Sequence, residues 1–241
     1  IIVGLPESEL FLIAAKPSQG KTALAMQIAF DMANGNQAAG FFSMEMSRRA
    51  LGQRQACSLI GLDSNRLRRR AKVPMTNAEV EKIEDVRKQL ATLPLYVDDR
   101  GGLSAERIYT TSLQWKKDYD VKAIFLDYIQ LIEGADDNRQ EAIGSAARTF
   151  KQIAKELNIP FVALSQLNRA MDQRDSRVPR LSDLRDSGQL EQVADTVLMF
   201  SYPNSPDDDL DEVRECQIHV KKQRNGPTGI AHTQFNKKFT K

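Results

Sequence analysis

Ala15-Lys16-Pro17-Ser18-Gln19-Gly20-Lys21-Thr22 follows the apolar run Leu10 to Ala14. It departs at one position from G-x-x-x-x-G-K-[ST], the pattern in which a backbone nest, a lysine and a hydroxyl hold a nucleotide's phosphates and metal. In that reading Ala15, Pro17, Ser18, Gln19 and Gly20 form the phosphate cradle, and Ala23 lies in the first turn of the helix behind it. Lys21 places a point charge toward the β- and γ-phosphates, and the Thr22 hydroxyl can ligate magnesium. The departure is Ala15, where the pattern has its first glycine. A Cβ there costs about 1–2 kcal/mol only if the backbone needs a positive φ. At the last residue of a strand the backbone is extended, and alanine fits. Gly20, beside Lys21, is the position where a side chain would not be tolerated.

A magnesium nucleotide site needs an acid at the tip of a second buried strand. Asp127 ends the run Ala123-Ile124-Phe125-Leu126 and fits that role, although such an acid can also cap the segment after it. Hydrolysis further needs a group that orients and activates water. Glu45 follows the run Gly40 to Ser43 and is the candidate general base; the alternative is a first-turn glutamate favoured by the dipole of the next helix. Gln166 closes the run Phe161 to Ser165 with an amide able to sense a γ-phosphate, or with an ordinary surface glutamine.

These residues must be carried to one place by the elements around them. Short β-rich runs at Leu10 to Ala15, Gly40 to Ser43, Leu95 to Val97, Ala123 to Asp127, Phe161 to Ser165 and Thr196 to Phe200 read as buried strands. Helical periodicity covers Lys21 to Asn34, Ser47 to Ile60, Thr76 to Leu93, Ser104 to Tyr119 and Gln140 to Leu157. Thr76 and Ser104 are N-cap residues, and Glu79 completes a capping box with Thr76. The alternation predicts an α/β fold, a mostly parallel central sheet flanked by helices, whose strand ends converge on the ligand. Beyond Phe200, Asn204-Ser205-Pro206 and the acidic run Asp207 to Glu212 read as a solvated loop. Arg214 to Lys222 and Gly229 to Phe235 then form an antiparallel hairpin around Asn225-Gly226-Pro227.

With 241 residues the chain can bury a full core, and one α/β domain over 1–241 is expected. Its 34 lysines and arginines against 32 acids leave any nucleic-acid footprint to be local. Cys57 and Cys216 lack a Cys-x-x-Cys partner, with only His219 and His232 to help them, which predicts neither zinc nor a disulfide framework and favours a reducing cytoplasm. No apolar run approaches the roughly 18 residues of a membrane span, so no membrane partner is expected. The start at Ile1, with Gly4-Leu5-Pro6 leading at once into a core strand, reads as a fragment whose N-terminal part lies elsewhere.

The segments AAKPSQGKT, FFSMEM, AIFLDYIQL, VALSQLNR, SDLRDSGQLEQVAD and KKQRNGPTG, in this order and spacing, resemble the C-terminal motor domain of DnaB-type replicative DNA helicases, a RecA-like P-loop ATPase group. The resemblance covers essentially the whole chain, and alanine at the first Walker A position is ordinary in that family. It implies ATP and Mg2+ as ligands, with Glu45 the catalytic glutamate, Asp127 the Walker B acid and Gln166 the γ-phosphate sensor. Lys222 and Arg224 would reach into a neighbouring subunit's site, Arg224 as an arginine finger; without the resemblance they read as solvated hairpin charges. Arg54 is similar to the family's base-stacking arginine. A homohexameric ring moving 5′ to 3′ on single-stranded DNA is implied, as are primase and loader contacts in the full-length protein. The fragment alone is expected to be monomeric.

In the family, the turn around Arg185, Asp186 and Gly188 faces the ring channel and touches the DNA backbone; Asp186 stands where glutamate is usual. Backbone N–H groups and one arginine per subunit suit phosphates, and the segment Asn168 to Arg180, polar with four arginines, lacks base-stacking aromatics. It is expected to be a loop outside the core, and Glu133 to Arg139 is a second, more acidic candidate. Arg48, Arg49, Arg54, Arg66, Arg68, Arg69, Arg70 and Lys72 oppose only Asp63 and read as a solvated face or subunit contact before a DNA footprint. Two other classes fit part of this pattern: a recombinase-type repair ATPase, and a non-hydrolysing loader or scaffold. The latter would need neither Glu45 nor Arg224.

Overall fold

Alternate residues of Leu10–Ala15 (β1) divide between the two halves of the core. In the computed structural model, which describes residues 4–67, 73–134, 139–168, 178–184, 188–203 and 213–239, Leu10, Leu12 and Ala14 pack with Ile108, Trp115 and Phe150. Phe11, Ile13 and Ala15 pack on the other face with Ala25 and Ala29. A strand buried on both faces has no use for a polar side chain, which is why β1 reads as a continuous apolar run.

Around β1 lies one eight-stranded sheet. Ala39–Ser43 (β2), Leu95–Asp98 (β3), Ala123–Asp127 (β4), Phe161–Gln166 (β5) and Thr196–Ser201 (β6) run parallel to it, and Val213–Gln223 (β7) and Gly229–Asn236 (β8) add an antiparallel hairpin. The spatial order is β3-β2-β4-β5-β1-β6-β7-β8. The intervening helices are Lys21–Asn34 (α1), Arg48–Ile60 (α2), Asn77–Thr92 (α3), Ala105–Tyr119 (α4), Arg139–Leu157 (α5) and the short Gly188–Val193 (α6). Every strand and helix expected from sequence is present with bounds shifted by at most one residue. The addition is α6, six residues long and too short to show a helical period.

Caps set the helix starts. The Ser47 and Ser104 hydroxyls accept from the N–H groups of Ala50 and Arg107 at 3.2 Å each. Thr76 and Glu79 exchange both bonds of a capping box. Glu79 also takes Arg66 in a bidentate pair of 2.6 and 2.7 Å, and that guanidinium drives its carboxyl down to about 2. Arg66 therefore does not belong to an unopposed basic face, because its acid comes from α3 rather than from its own stretch. Arg68, Arg69, Arg70 and Lys72 lie outside the described residues, as does the acidic run Asp207 to Glu212 with the preceding Asn204 to Pro206.

The segment expected to lie wholly outside the core departs from that expectation at its end. Pro179 is buried, and the Asn168 N–H donates to the Asp183 carbonyl at 2.8 Å beside a bridge between Leu167 and Leu184. The two ends of the segment are thus stitched together by backbone bonds, while residues 169–177 lie outside the described residues.

Gly40 shows how tightly the sheet and α4 are packed. A Cβ at Gly40 would run into the ring of Trp115, which itself stacks on Phe42 at 4.6 Å. Gly40→Ala is expected to cost about 1–3 kcal/mol by overpacking, read from the midpoint of urea unfolding.

Candidate nucleotide site

Four adjacent strands end in the residues singled out for chemistry. In the order β2-β4-β5-β1, Ser43 pairs level with Asp127, and Gln166 pairs level with Ala15. Each strand rises about 3.3 Å per residue in the same direction, so their C-terminal tips form one edge. Glu45 follows the tip of β2, Asp127 is the tip of β4, Gln166 that of β5, and the phosphate loop leaves β1.

The loop turns through two left-handed residues, Ser18 at φ 62 and Gly20 at φ 85. Ala15 is the buried last residue of β1 and is absent from the positive-φ positions, so its Cβ carries no backbone strain. Gly20 is different on two counts. Its φ lies where L side chains are strained, and a Cβ there would stand 3.0 Å from the Phe235 ring of β8. Two further bonds shape the cradle: the Lys16 N–H donates to the Gln19 side chain at 3.1 Å, and the Tyr202 hydroxyl donates to the Gln19 carbonyl at 2.7 Å. Pro17 and Ser18 face solvent, and Ala23 sits in the first turn of α1. Arg54, on α2, shares a small cavity with Thr22, Ala23, Met26, Leu51 and Gln55, which puts its side chain beside the first turn of α1.

Asp127 is fully buried, yet it meets both groups of the loop that can handle charge. One carboxylate oxygen takes the Lys21 ammonium at 3.1 Å, the other the Thr22 hydroxyl at 2.7 Å. Lys21 is 8 % exposed, lies 4.3 Å from the centre of the Tyr128 ring and 3.9 Å from the Glu45 carboxylate. Glu45 is the most open of these groups, with 54 % of its side chain exposed. A buried carboxylate beside a hydroxyl is a donor set of hard oxygens, which suits Mg2+, and the ammonium and loop N–H groups suit phosphate. The residues therefore fit a magnesium nucleotide.

Sequence reasoning missed the parts that tie the strand tips together. Gln130, just beyond Asp127 and 5 % exposed, donates to the Ser165 hydroxyl at 2.9 Å and accepts from the Gln166 N–H at 3.2 Å. It pins the tip of β5 to the segment after β4. Tyr128 and Tyr202 buttress Lys21 and Gln19 in the same way. Each of the three lies within three residues of a strand end already marked, and that proximity is the signal that could have found them.

Lys222 and Arg224 lie at the opposite edge. Gln223 pairs with Thr196, the first residue of β6, and the Asp195 N–H donates to the Leu10 carbonyl at the start of β1 at 3.0 Å. The Lys222 ammonium donates to the carbonyls of Glu191 and Gln192 at the end of α6, at 2.6 and 3.3 Å. Burial and the adjacent Arg224 hold that ammonium below the usual lysine value. Arg224 donates to the Gln192 carbonyl at 3.2 Å and forms an ion pair with Asp195 at 3.1 Å. Of the three expected DNA contacts, Gly188 is the exposed first residue of α6, whereas Arg185 and Asp186 lie outside the described residues. So do residues 135–138 of the second candidate loop. Among the described residues no helix is long and apolar enough to cross a membrane, and Cys57 and Cys216 are both buried free thiols.

The replicative DNA helicase DnaC of Bacillus subtilis (strain 168) is 34% identical over 242 residues, covering 99% of this chain and 53% of the relative. The chain thus spans about half the length of the curated relatives it matches. Two solved structures superpose with a TM-score of 0.87 each: "The Structure Of A DnaB-Like Replicative Helicase And Its Interactions With Primase", at 28% identity over 98% of this chain and 59% of that one, and "ATPase Domain of G40P", at 29% over 98% and 84%. A family model for the DnaB-like helicase C terminal domain matches residues 1–241, and the chain belongs to that family.

Proposed function

We propose that this chain is the ATP-hydrolysing motor of a cytoplasmic replicative DNA helicase, acting as a homohexameric ring that translocates 5′ to 3′ on single-stranded DNA and separates duplex at the fork. The observation that carries this reading is the division of charged groups between two edges of one sheet. Lys21, Thr22, Asp127 and Glu45 gather at the C-terminal edge, while Lys222 and Arg224 sit at the N-terminal edge beside the start of β1. The six residues of β1 alone separate the edges by about 20 Å, well beyond the reach of an arginine side chain. The hairpin cations cannot serve their own site, so any nucleotide they touch belongs to another copy, and assembly completes the enzyme.

In the complete site Lys21 would hold the β- and γ-phosphate oxygens and the Gly20 nest would orient them in line for attack. Glu45, open to solvent and beside Lys21, would hold the attacking water and take its proton. Gln166, level with Ala15 on the adjoining strand, would register the γ-phosphate. Thr22 and Asp127 would hold Mg2+, which neutralises developing phosphate charge when bound. Arg224 from the neighbour would stabilise charge that appears only as the phosphoryl group transfers.

Arg185, Asp186 and Gly188 would grip the DNA backbone, and each turnover would shift that grip from one copy to the next. Such contacts are individually weak, and a ring multiplies them. Primase and a loader would be met by the intact protein. The test is strand displacement on forked DNA by the intact protein, with mass measured in the presence and absence of ATP. Displacement should need ATP and a closed assembly and should vanish in Lys21→Ala. Bound ATP with no displacement, or filaments in place of rings, would overturn the reading.

A further inference from the structure

Resting on the reading that Arg224 acts on a neighbouring copy, we propose that Asp195 is the positioning residue that aims it. Asp195 is 3 % exposed and lies between α6 and the first residue of β6. Its backbone carbonyl accepts the Arg224 N–H at 3.0 Å, and one carboxylate oxygen pairs with the Arg224 guanidinium at 3.1 Å. Main chain and side chain of one residue thus hold main chain and side chain of the other. The second carboxylate oxygen is committed elsewhere, to the Leu10 N–H at 2.8 Å and the Lys151 ammonium at 2.6 Å.

A second buried acid holds the next residue of the same turn. Glu9, 7 % exposed, accepts from the Asn225 side chain at 2.8 Å and from the Thr196 hydroxyl at 3.3 Å. The turn after β7 is therefore fixed to the start of β1 from two sides. Arg224 is fixed without being consumed. A guanidinium has five N–H donors; the Gln192 carbonyl takes one, Asp195 pairs with the group by charge, and 51 % of the side chain faces solvent. Donors remain for a partner beyond the sheet, presented in one orientation, which spares the ordering of a long flexible side chain at each turnover.

The carboxylate chemistry makes a selective test. Asparagine keeps the shape of Asp195 but has one acceptor oxygen, and the Leu10 N–H and Lys151 together claim it. The amide NH2 then faces Arg224 and releases it, while the bond to the start of β1 persists. ATP turnover by the intact, assembled protein should be measured for Asp195→Asn, Arg224→Ala and the double variant. Loss of the ion pair that aims the guanidinium predicts a fall in kcat of about 10- to 100-fold for Asp195→Asn, with KM for ATP unchanged. The double variant should be no slower than Arg224→Ala, because both changes disable one device.

A double variant slower by the full Asp195 factor would make the residue merely structural and overturn the inference, as would wild-type turnover in Asp195→Asn beside a slow Arg224→Ala. Wild-type turnover in Arg224→Ala would overturn the trans-acting reading itself, and the inference with it. Thermal melting reports whether Asp195→Asn folds. If it does not, Glu9→Ala, which removes the acceptor that holds Asn225 and so loosens the same turn, takes its place in the cycle with the same expected and opposing results.

Discussion

Arg224→Ala is expected to lower ATP turnover by the assembled protein by roughly 10³–10⁵-fold while leaving nucleotide binding in place. The size of the effect follows from where the guanidinium acts. In the proposed assembly it would meet charge that grows on the transferring phosphoryl group, so its contribution would appear in the barrier and hardly in ground-state affinity. The location follows from the sheet: the turn after β7 and the phosphate loop lie at opposite ends of the strands, so on the proposed reading the variant would damage its neighbour's site and spare its own. Mixing Arg224→Ala copies with Lys21→Ala copies should therefore recover turnover. Wherever a Lys21→Ala copy lends its arginine to an Arg224→Ala copy, one interface is intact. Turnover in the mixture no higher than in either variant alone would count against action in trans.

Glu45→Gln should bind ATP normally and turn over about 10²–10⁴-fold more slowly, the usual contribution of a positioned general base. Glutamine preserves length and hydrogen bonding but cannot accept the proton of the attacking water. Because Glu45 is largely exposed and lies 3.9 Å from Lys21, its removal leaves no buried charge unpaired, and the melting temperature should hardly move. Single-turnover hydrolysis measured beside equilibrium binding of a fluorescent ATP analogue separates the two quantities. Undiminished turnover would remove Glu45 as the base. Asp127 offers no such clean test, since it is wholly buried against Lys21 and Thr22 and its loss would disturb fold and binding together.

Local sequence carried most of the architecture because its signals are local. The central strands β1, β4 and β5 are apolar runs up to their last residues, since both of their faces are covered, and Ser47, Thr76 and Ser104 mark helix starts through hydrogen bonds that span three residues. Ala15 was legible for the same reason: strand-end backbone tolerates a Cβ. α6 escaped notice because six residues complete fewer than two turns. The partner of Arg66 escaped because Glu79 lies on another helix, and a count of charges within one stretch is blind to it.

Sequence alone determined the elements, their order along the chain, and which side chains have phosphate, metal and proton-transfer chemistry. What tertiary structure decided is which of them meet. Strand order puts β5 between β1 and β4 and still brings Lys21 and Thr22 onto Asp127, because α1 swings the loop back over the strand tips. The antiparallel pairing of β7 with β6 carries Arg224 to the far edge, onto Asp195 and away from its own nucleotide loop. Spacing along a chain reports only neighbours within a turn or a strand. Register across a sheet depends on which strands pair, and pairing is settled by burial and backbone hydrogen bonding over the whole fold.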